Sequence, residues 1–261
     1  MSRSHTTLAC ALLCAFVVTV FAQDKKTSGA SSAKALIDEL VIANHILANE
    51  GVVDAYGHVS IRNPANPQHL FLARHMAAGV VTASDIIEYD LDCNPLSAGA
   101  SAGYTERFIH CEIYRARPDV MAVVHAHSPD VIPFTVSSIP LKPVYHMAGF
   151  ISDGLPTFDI RKASGQNTDM LIRNADLGRK LAQTLAKKPA ALMRGHGAVI
   201  VAESLHVVAG RAYYLNMNAR LQREAMALGG PVTYLTREEA DLAGAQDGFE
   251  RAWDLWRSKV K

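Results

Sequence analysis

The chain has no excess of either charge, little cysteine, and no apolar run long enough for a membrane span. Each shortage excludes something. Lysine and arginine number 26 against 25 aspartates and glutamates, a formal net charge of +1, and no basic block interrupts the sequence. So balanced a surface lacks the field that attracts polyphosphate backbones or anionic lipid. Nucleic acid and membrane-surface partners are therefore disfavoured, and a small molecule is the expected ligand. Apolar residues make up 49% and charged residues 20%, the proportions of a globular rather than a disordered chain. No internal repeat and no mid-chain linker divides it, so a single main domain is expected.

The most apolar stretch runs from Leu8 to Phe21, 14 residues, whereas an anchor needs roughly 17–25. Arg3 and His5 precede it, and Val20-Phe21-Ala22 ends it on a small residue. That order is the order of a secretory signal. The expectation is a signal peptide over 1–22, a flexible lead-in over 23–33 and one domain over 34–261, in a periplasmic or secreted protein. An uncleaved anchor is the alternative. Loss of Met1–Ala22 removes Arg3 and no acid, which leaves bases and acids equal in number. Cys10 and Cys14 leave with it. Export permits a disulfide between the remaining Cys93 and Cys111. Two cysteines do not make a framework, however, and Cys111 falls in an expected buried helix, so the reading is two free thiols.

Leu36, Ile37, Leu40, Val41, His45 and Leu47 recur at helical spacing, with Gly51 as the stop. Short strands are expected at His58–Arg62, Leu70–Ala73 and Ile86–Leu91, the last closed by the turn Asp92-Cys93-Asn94-Pro95. A helix over Tyr104–Arg117 ends at Pro118, and a β-branched strand follows at Val120–Val124. Asp176–Lys187 reads as a helix closed by Pro189. Two apolar strands, Ala190–Met193 and Ala198–Val201, flank Gly195-His196-Gly197. A long helix over Ser204–Leu228 ends at Gly229-Gly230-Pro231. Thr236-Arg237-Glu238-Glu239 is a capping box opening a final amphipathic helix with Trp253 and Trp256. The elements predict an α/β or α+β domain whose central sheet lies between helix layers.

Chemistry concentrates in a few places. In Val124-His125-Ala126-His127, residues two apart in a strand share a face, so His125 and His127 project together. Two imidazoles on one face suit a metal, although such a pair can equally be structural. His196 sits between two glycines at a turn between strands, where the backbone approaches closely. Alone it reads as a turn histidine. Glu106 lies in the first turn of its helix, where the dipole favours a carboxylate, and beside a metal it would serve as a general acid/base. His110, four residues on, shares its face and could orient that carboxylate, although such i,i+4 neighbours are more often structural and that is the preferred reading.

Tyr104-Thr105-Glu106-Arg107-Phe108-Ile109-His110, then Ala116-Arg117-Pro118-Asp119-Val120, His125-Ala126-His127 and Arg194-Gly195-His196-Gly197 resemble the class II aldolase/adducin family in order and spacing. The likeness runs from about Lys34 to Leu228. It implies a three-layer α/β/α sandwich with a mixed central sheet. It further implies a homotetramer with one divalent ion per subunit on His125, His127 and His196. Zinc is the first choice, with manganese, iron or cobalt as alternatives. Glu106 would be a ligand or acid/base. Sugar-phosphate aldolases of the family hold phosphate on small polar residues and an amide. Here those places read Tyr56-Gly57-His58 and Tyr104-Thr105, which argues against a phosphorylated sugar.

Leu36-Ile37-Asp38-Glu39-Leu40, Asp54-Ala55-Tyr56-Gly57-His58 and Met193-Arg194-Gly195-His196 resemble a narrower branch. That branch comprises the 2-hydroxy-3-carboxymuconic-semialdehyde and dihydroxyphthalate decarboxylases of aromatic breakdown. The resemblance implies a metal-dependent carbon–carbon lyase acting on a small-molecule carboxylate, with His58, Arg74, Tyr104 and Thr105 as candidate substrate contacts. Arg74 reads equally well as an exposed structural residue. Two rivals stay open: an aldolase for a non-phosphorylated hydroxy-carbonyl compound, and a non-catalytic adducin-like binding module.

Overall fold

The computed structural model describes residues 33–97, 99–100, 103–165, 167–245 and 248–260. The expected signal peptide at 1–22 and the lead-in up to residue 32 lie outside the described residues. Seven strands, β1 His58–Arg62, β2 His69–Ala73, β3 Ile86–Asp90, β4 Ala122–Ala126, β5 Thr157–Phe158, β6 Ala190–Met193 and β7 Gly197–Ala202, build one sheet. Its order is β3-β2-β1-β4-β7-β6-β5. Only β5 and β6 run parallel, so the sheet is mixed. The helices are α1 (33–49), α2 Arg107–Ala116, α3 Ile132–Val136, α4 Ile160–Ser164, α5 Ala175–Leu185, α6 Leu205–Ala227, α7 Arg237–Gly244 and α8 Glu250–Arg257.

Strand alternation sorts the apolar side chains into two cores. Val59, Ile61, Val124, Ala198 and Ile200 pack with Leu40 and Leu47 of α1, Val208 and Leu215 of α6, and Trp253 and Trp256 of α8. Leu70, Leu72, Val123, Val199 and Val201 pack with Ile109 and Ile113 of α2 and Leu181 and Leu185 of α5. The sheet is therefore covered on both faces, and the domain is a three-layer α/β/α sandwich. No helix among the described residues is long and apolar enough to cross a membrane. α6 has the length but carries polar residues throughout.

Several boundaries differ from the sequence reading, each for a local reason. α2 starts at Arg107 rather than Tyr104, because Glu106 occupies the N-cap position with its carboxylate engaged elsewhere. β4 begins at Ala122 rather than Val120. The Val120 N–H donates to Arg117 O in the turn that follows α2, and ladder pairing begins opposite Ile61 and Ala202. The capping box at Thr236 and Glu239 is present, but the expected single C-terminal helix is two. Phe249, at φ 57°, interrupts it. The expectation of free thiols is corrected as well: Cys93 and Cys111 form a disulfide, with Cα atoms 5.9 Å apart. The turn after β3 packs on α2, a contact that spacing 18 positions apart does not announce. β5, two residues long, has too little pattern to read in advance.

α2 is fixed to the sheet by a buried arginine. Arg62 at the end of β1 donates to Tyr114 O and Arg117 O, at 2.6 and 3.0 Å, and its guanidinium lies 4.8 Å over the Tyr114 ring. A cation at a helix C-terminus satisfies orphan carbonyls and complements the dipole. The same attachment sets the register between α2 and β1, and hence the position of Glu106.

Candidate metal centre

β4 presents Val123 and His125 to the α2 side of the sheet, and His127 follows just past the strand end. His196 arrives from the β6–β7 turn. Gly195 there has φ 62°, and a Cβ at Gly197 would run into the Ala126 carbonyl. Glycine is thus required on the side where the turn closes on β4. Glu106 reaches in from the N-terminus of α2.

The four residues offer ligand atoms that all lie within 4.8 Å of one another. His127 Nε2 is 3.1 Å from His125 Nε2 and 3.0 Å from His196 Nε2. Glu106 Oε2 lies 3.6 Å from His125 Nε2 and 3.4 Å from His196 Nε2. Donors at about 2.0–2.1 Å around a tetrahedral ion stand roughly 3.3–3.4 Å apart, so these separations are the edges of such a polyhedron.

The opposite ring nitrogens fix the tautomers. His125 Nδ1 lies 3.2 Å from Ala198 O and His196 Nδ1 3.0 Å from Met170 O. Carbonyls only accept, so both Nδ1 atoms carry the proton. His127 Nδ1 likewise faces Asp54 Oδ2 at 3.2 Å. With the proton on Nδ1, the neutral form of each imidazole presents a bare Nε2, and the three Nε2 atoms converge on one point. Lone pairs 3.0–3.1 Å apart cannot bond one another, and a cation between them is what the donor set fits. Imidazoles suit zinc, iron, nickel or copper, and the carboxylate extends the range to manganese.

The electrostatics agree. Burial alone would raise the Glu106 carboxyl, but positive charge on the His125 and His196 side, whether on the imidazoles or on a cation they hold, lowers it far below the usual carboxylate range. Its Oε1 accepts the Ile172 N–H at 2.9 Å, which leaves Oε2 towards the cluster. Burial tends to raise the Asp54 carboxyl too. The N–H groups of Tyr56 and Gly57 and the neighbouring His127 outweigh that and lower it.

The other sequence candidates divide. His58 is 1% exposed and packs 5.1 Å from the His125 ring and 4.3 Å from Tyr104. The Tyr104 hydroxyl donates to Met76 O, and burial pushes its phenol up to about 12. Both line the cluster's side of the sheet. Thr105 is exposed beside Glu106. Arg74 pairs with Asp85 at 2.7 Å instead of reaching the cluster, because the chain turns it towards the loop before β3. His110 does not orient Glu106. It hydrogen-bonds His58 and Ser60, because α2 lies across β1. Asp54 escaped the sequence reading. Its segment Asp54-Ala55-Tyr56-Gly57 signals a turn, and Oδ1 does accept the Tyr56 and Gly57 N–H groups, but nothing local names His127 as a partner 73 positions away.

Comparison with known proteins agrees with this geometry. The Class II Aldolase and Adducin N-terminal domain model matches residues 38–223. The chain is 37% identical over 243 residues to decarboxylase tropJ of Talaromyces stipitatus, covering 83% of this chain and 91% of that protein. It is 28% identical to the 3,4-dihydroxyphthalate decarboxylase of Arthrobacter keyseri, covering 85% and 92%. The L-fuculose 1-phosphate aldolase of Glaciozyma antarctica PI12 superposes with a TM-score of 0.71 at 22% identity, covering 88% of each chain, and shares the fold. Decarboxylase relatives and the matched domain make this an enzyme of the decarboxylase or aldolase type, acting on a small molecule. With its matched domain spanning most of the three-layer sandwich, the chain belongs to the class II aldolase and adducin N-terminal domain family.

Proposed function

We propose that the protein is a metal-dependent decarboxylase of hydroxylated aromatic or dienoate carboxylates, the dihydroxyphthalate class among them. The observation that carries this reading is the convergence of the three Nε2 atoms with Glu106, in a chain whose relatives include named decarboxylases. His125, His127 and His196 would hold one divalent ion per subunit, zinc first. When bound, such an ion supplies Lewis-acid stabilisation for the negative charge that develops on a substrate oxygen as the C–C bond breaks.

The protein's own groups account for the proton. Glu106 is anionic at rest, so it accepts before it donates. It takes the hydroxyl proton of the substrate and delivers it to the carbon bearing the carboxylate. That carbon becomes tetrahedral and adjacent to a carbonyl, so the carboxylate is that of a β-keto acid. The C–C bond then breaks, CO₂ leaves, and the electron pair flows to the oxygen, which solvent reprotonates. One proton is consumed for each CO₂ released. Ile172 N–H holds Oε1 throughout, so Oε2 alone moves the proton. His58 and Tyr104 would form the substrate wall, with Thr105 at its edge. Arg74, held by Asp85, would need release from that pair to meet a carboxylate.

We further propose an exported homotetramer. The disulfide supports an oxidising compartment, and sedimentation would check the assembly.

The test is a CO₂-release screen on hydroxylated aromatic acids, with Glu106→Gln beside the parent protein. The variant should retain metal and lose turnover by about 10²–10⁴-fold, the usual contribution of a general acid/base. Cleavage of a phosphorylated ketose without CO₂ release from any such acid would return the protein to the aldolases. A protein that takes up no divalent ion and turns over none of these substrates would favour a binding module.

A further inference from the structure

A closed line of buried polar groups runs from the metal cluster to the backbone. β1 pairs with β4 so that His58 stands opposite His125 and Ser60 opposite Val123. Both side chains therefore face α2, where His110 and Tyr114 lie one helical turn apart. His58 Nδ1 is 2.6 Å from His110 Nε2, His110 Nδ1 is 2.6 Å from Ser60 Oγ, and Ser60 Oγ is 2.8 Å from the Tyr114 hydroxyl. The Tyr114 hydroxyl donates to Met121 O at 3.3 Å. All four side chains are at most 1% exposed. His58 Nε2 has no hydrogen-bond partner among the described residues, and its ring lies against those of His125 and Tyr104.

The far end of this line decides the near end. A carbonyl has no proton to give, so the single Tyr114 proton goes to Met121 O. Ser60 must then donate to Tyr114, and its oxygen accepts from His110 Nδ1–H. His110 Nε2 is left bare and accepts from His58 Nδ1–H. The two imidazoles share one proton in one hydrogen bond, so they cannot both be cations. His58 Nε2 is consequently a bare acceptor.

We propose that Met121 O, acting through the positioning residues Tyr114, Ser60 and His110, locks His58 in its Nδ1–H tautomer, so that His58 Nε2 selects substrates by accepting their hydroxyl proton in a hydrogen bond. The proposal deepens the decarboxylase reading and rests on it for the identity of the ligand. A bare Nε2 repels an ether oxygen, a second carboxylate or a phosphate at that point, since none of them brings a proton. It admits a hydroxyl next to the carboxylate being lost, the group that turns its one proton from His58 Nε2 to Glu106 Oε2 as the proposed chemistry begins.

The test uses the zinc-loaded full chain and two small probes, 2-hydroxybenzoate, with CO₂ release followed during the titration, and 2-methoxybenzoate. Ring-nitrogen NMR of labelled protein, with the His58 signals assigned by their loss in His58→Gln, reads the tautomer directly. Calorimetry reads the affinities. The parent protein should show His58 as Nδ1–H and should bind the hydroxy probe about tenfold or more tightly, the cost of leaving a buried acceptor unpaired. Tyr114→Phe frees Ser60 to donate towards His110. It should shift His58 towards Nε2–H and collapse the discrimination, at unchanged zinc content. Ser60→Ala, which breaks the line one link nearer, should do the same should Tyr114→Phe fail to fold. Nε2–H in the parent protein overturns the proposal, as does discrimination that survives both variants. CO₂ release with the wrong tautomer removes this inference alone. The right tautomer and discrimination with no CO₂ release from any hydroxy acid removes the reaction and leaves the selection device standing.

Discussion

Replacing Asp54 by asparagine tests whether the three histidines are a built metal site, because it alters one atom behind one ligand. Two of the imidazoles are held from behind by backbone carbonyls, Ala198 O and Met170 O, which no substitution removes. Asp54 is the side chain among the three supports. Its Oδ1 accepts the Tyr56 and Gly57 N–H groups at 2.8 and 3.0 Å, and Oδ2 accepts from His127 Nδ1–H at 3.2 Å. Asparagine keeps an oxygen for the turn and sets an NH₂ against that N–H. Two donors then face one another. Either the amide turns away, or His127 moves its proton to Nε2, where the metal must bind.

Loss of such an outer partner typically costs about 10–100-fold in metal affinity, or about 1.4–2.7 kcal/mol. The bond here is 3.2 Å long and the Asp54 side chain is 49% exposed, so the lower end, about tenfold, is expected. Competition with a chromogenic chelator measures the change. Because the turn survives, stability should stay within about 0.5 kcal/mol. Unchanged affinity would refute the outer-partner argument. A loss equal to that of His127→Ala would make Asp54 a ligand itself.

Three further outcomes follow from other parts of the molecule. Reducing the Cys93–Cys111 disulfide, which closes 18 positions, should lower unfolding free energy by about 3 kcal/mol on the chain-entropy account; denaturant titration with and without reductant reads it, and equal midpoints would contradict it. Burial lowers His110 from 6.5 to about 3, so the unfolded chain binds the extra proton across that window and the stability from this group is present above pH 6.5 and falls on acidification. Between pH 6.5 and 5 the parent protein should lose about 1.6 kcal/mol more than His110→Gln, the slope rising from half of 1.36 kcal/mol per pH unit at pH 6.5 towards the full value below it; parallel losses would remove His110 as the cause. Intact-mass measurement of exported material should show a chain starting near Gln23, and a full-length, membrane-bound product would overturn the export proposal.

The sequence by itself located most of the elements and, through its family resemblance, named the candidate ligands. A period of two put His125 and His127 on one face, two glycines marked the His196 turn, and the capping box at Thr236 set a real helix start. These are local properties, legible because side-chain direction in a strand and backbone freedom at glycine depend on a few neighbouring residues. What only the tertiary structure decided is which distant groups meet. Asp54 behind His127, Ile172 N–H on Glu106, the Cys93–Cys111 pair and the line from His58 to Tyr114 all join residues separated by 18 positions or more. Their partners follow from how α2 lies across β1 and how the loop around Met170 closes over β6 and β7. That packing is fixed by the shared burial of two cores, and no single segment carries it. His110 shows the difference most plainly: its spacing left a helix-face pair with Glu106 open beside a structural role, and the sheet beneath the helix decided for the second.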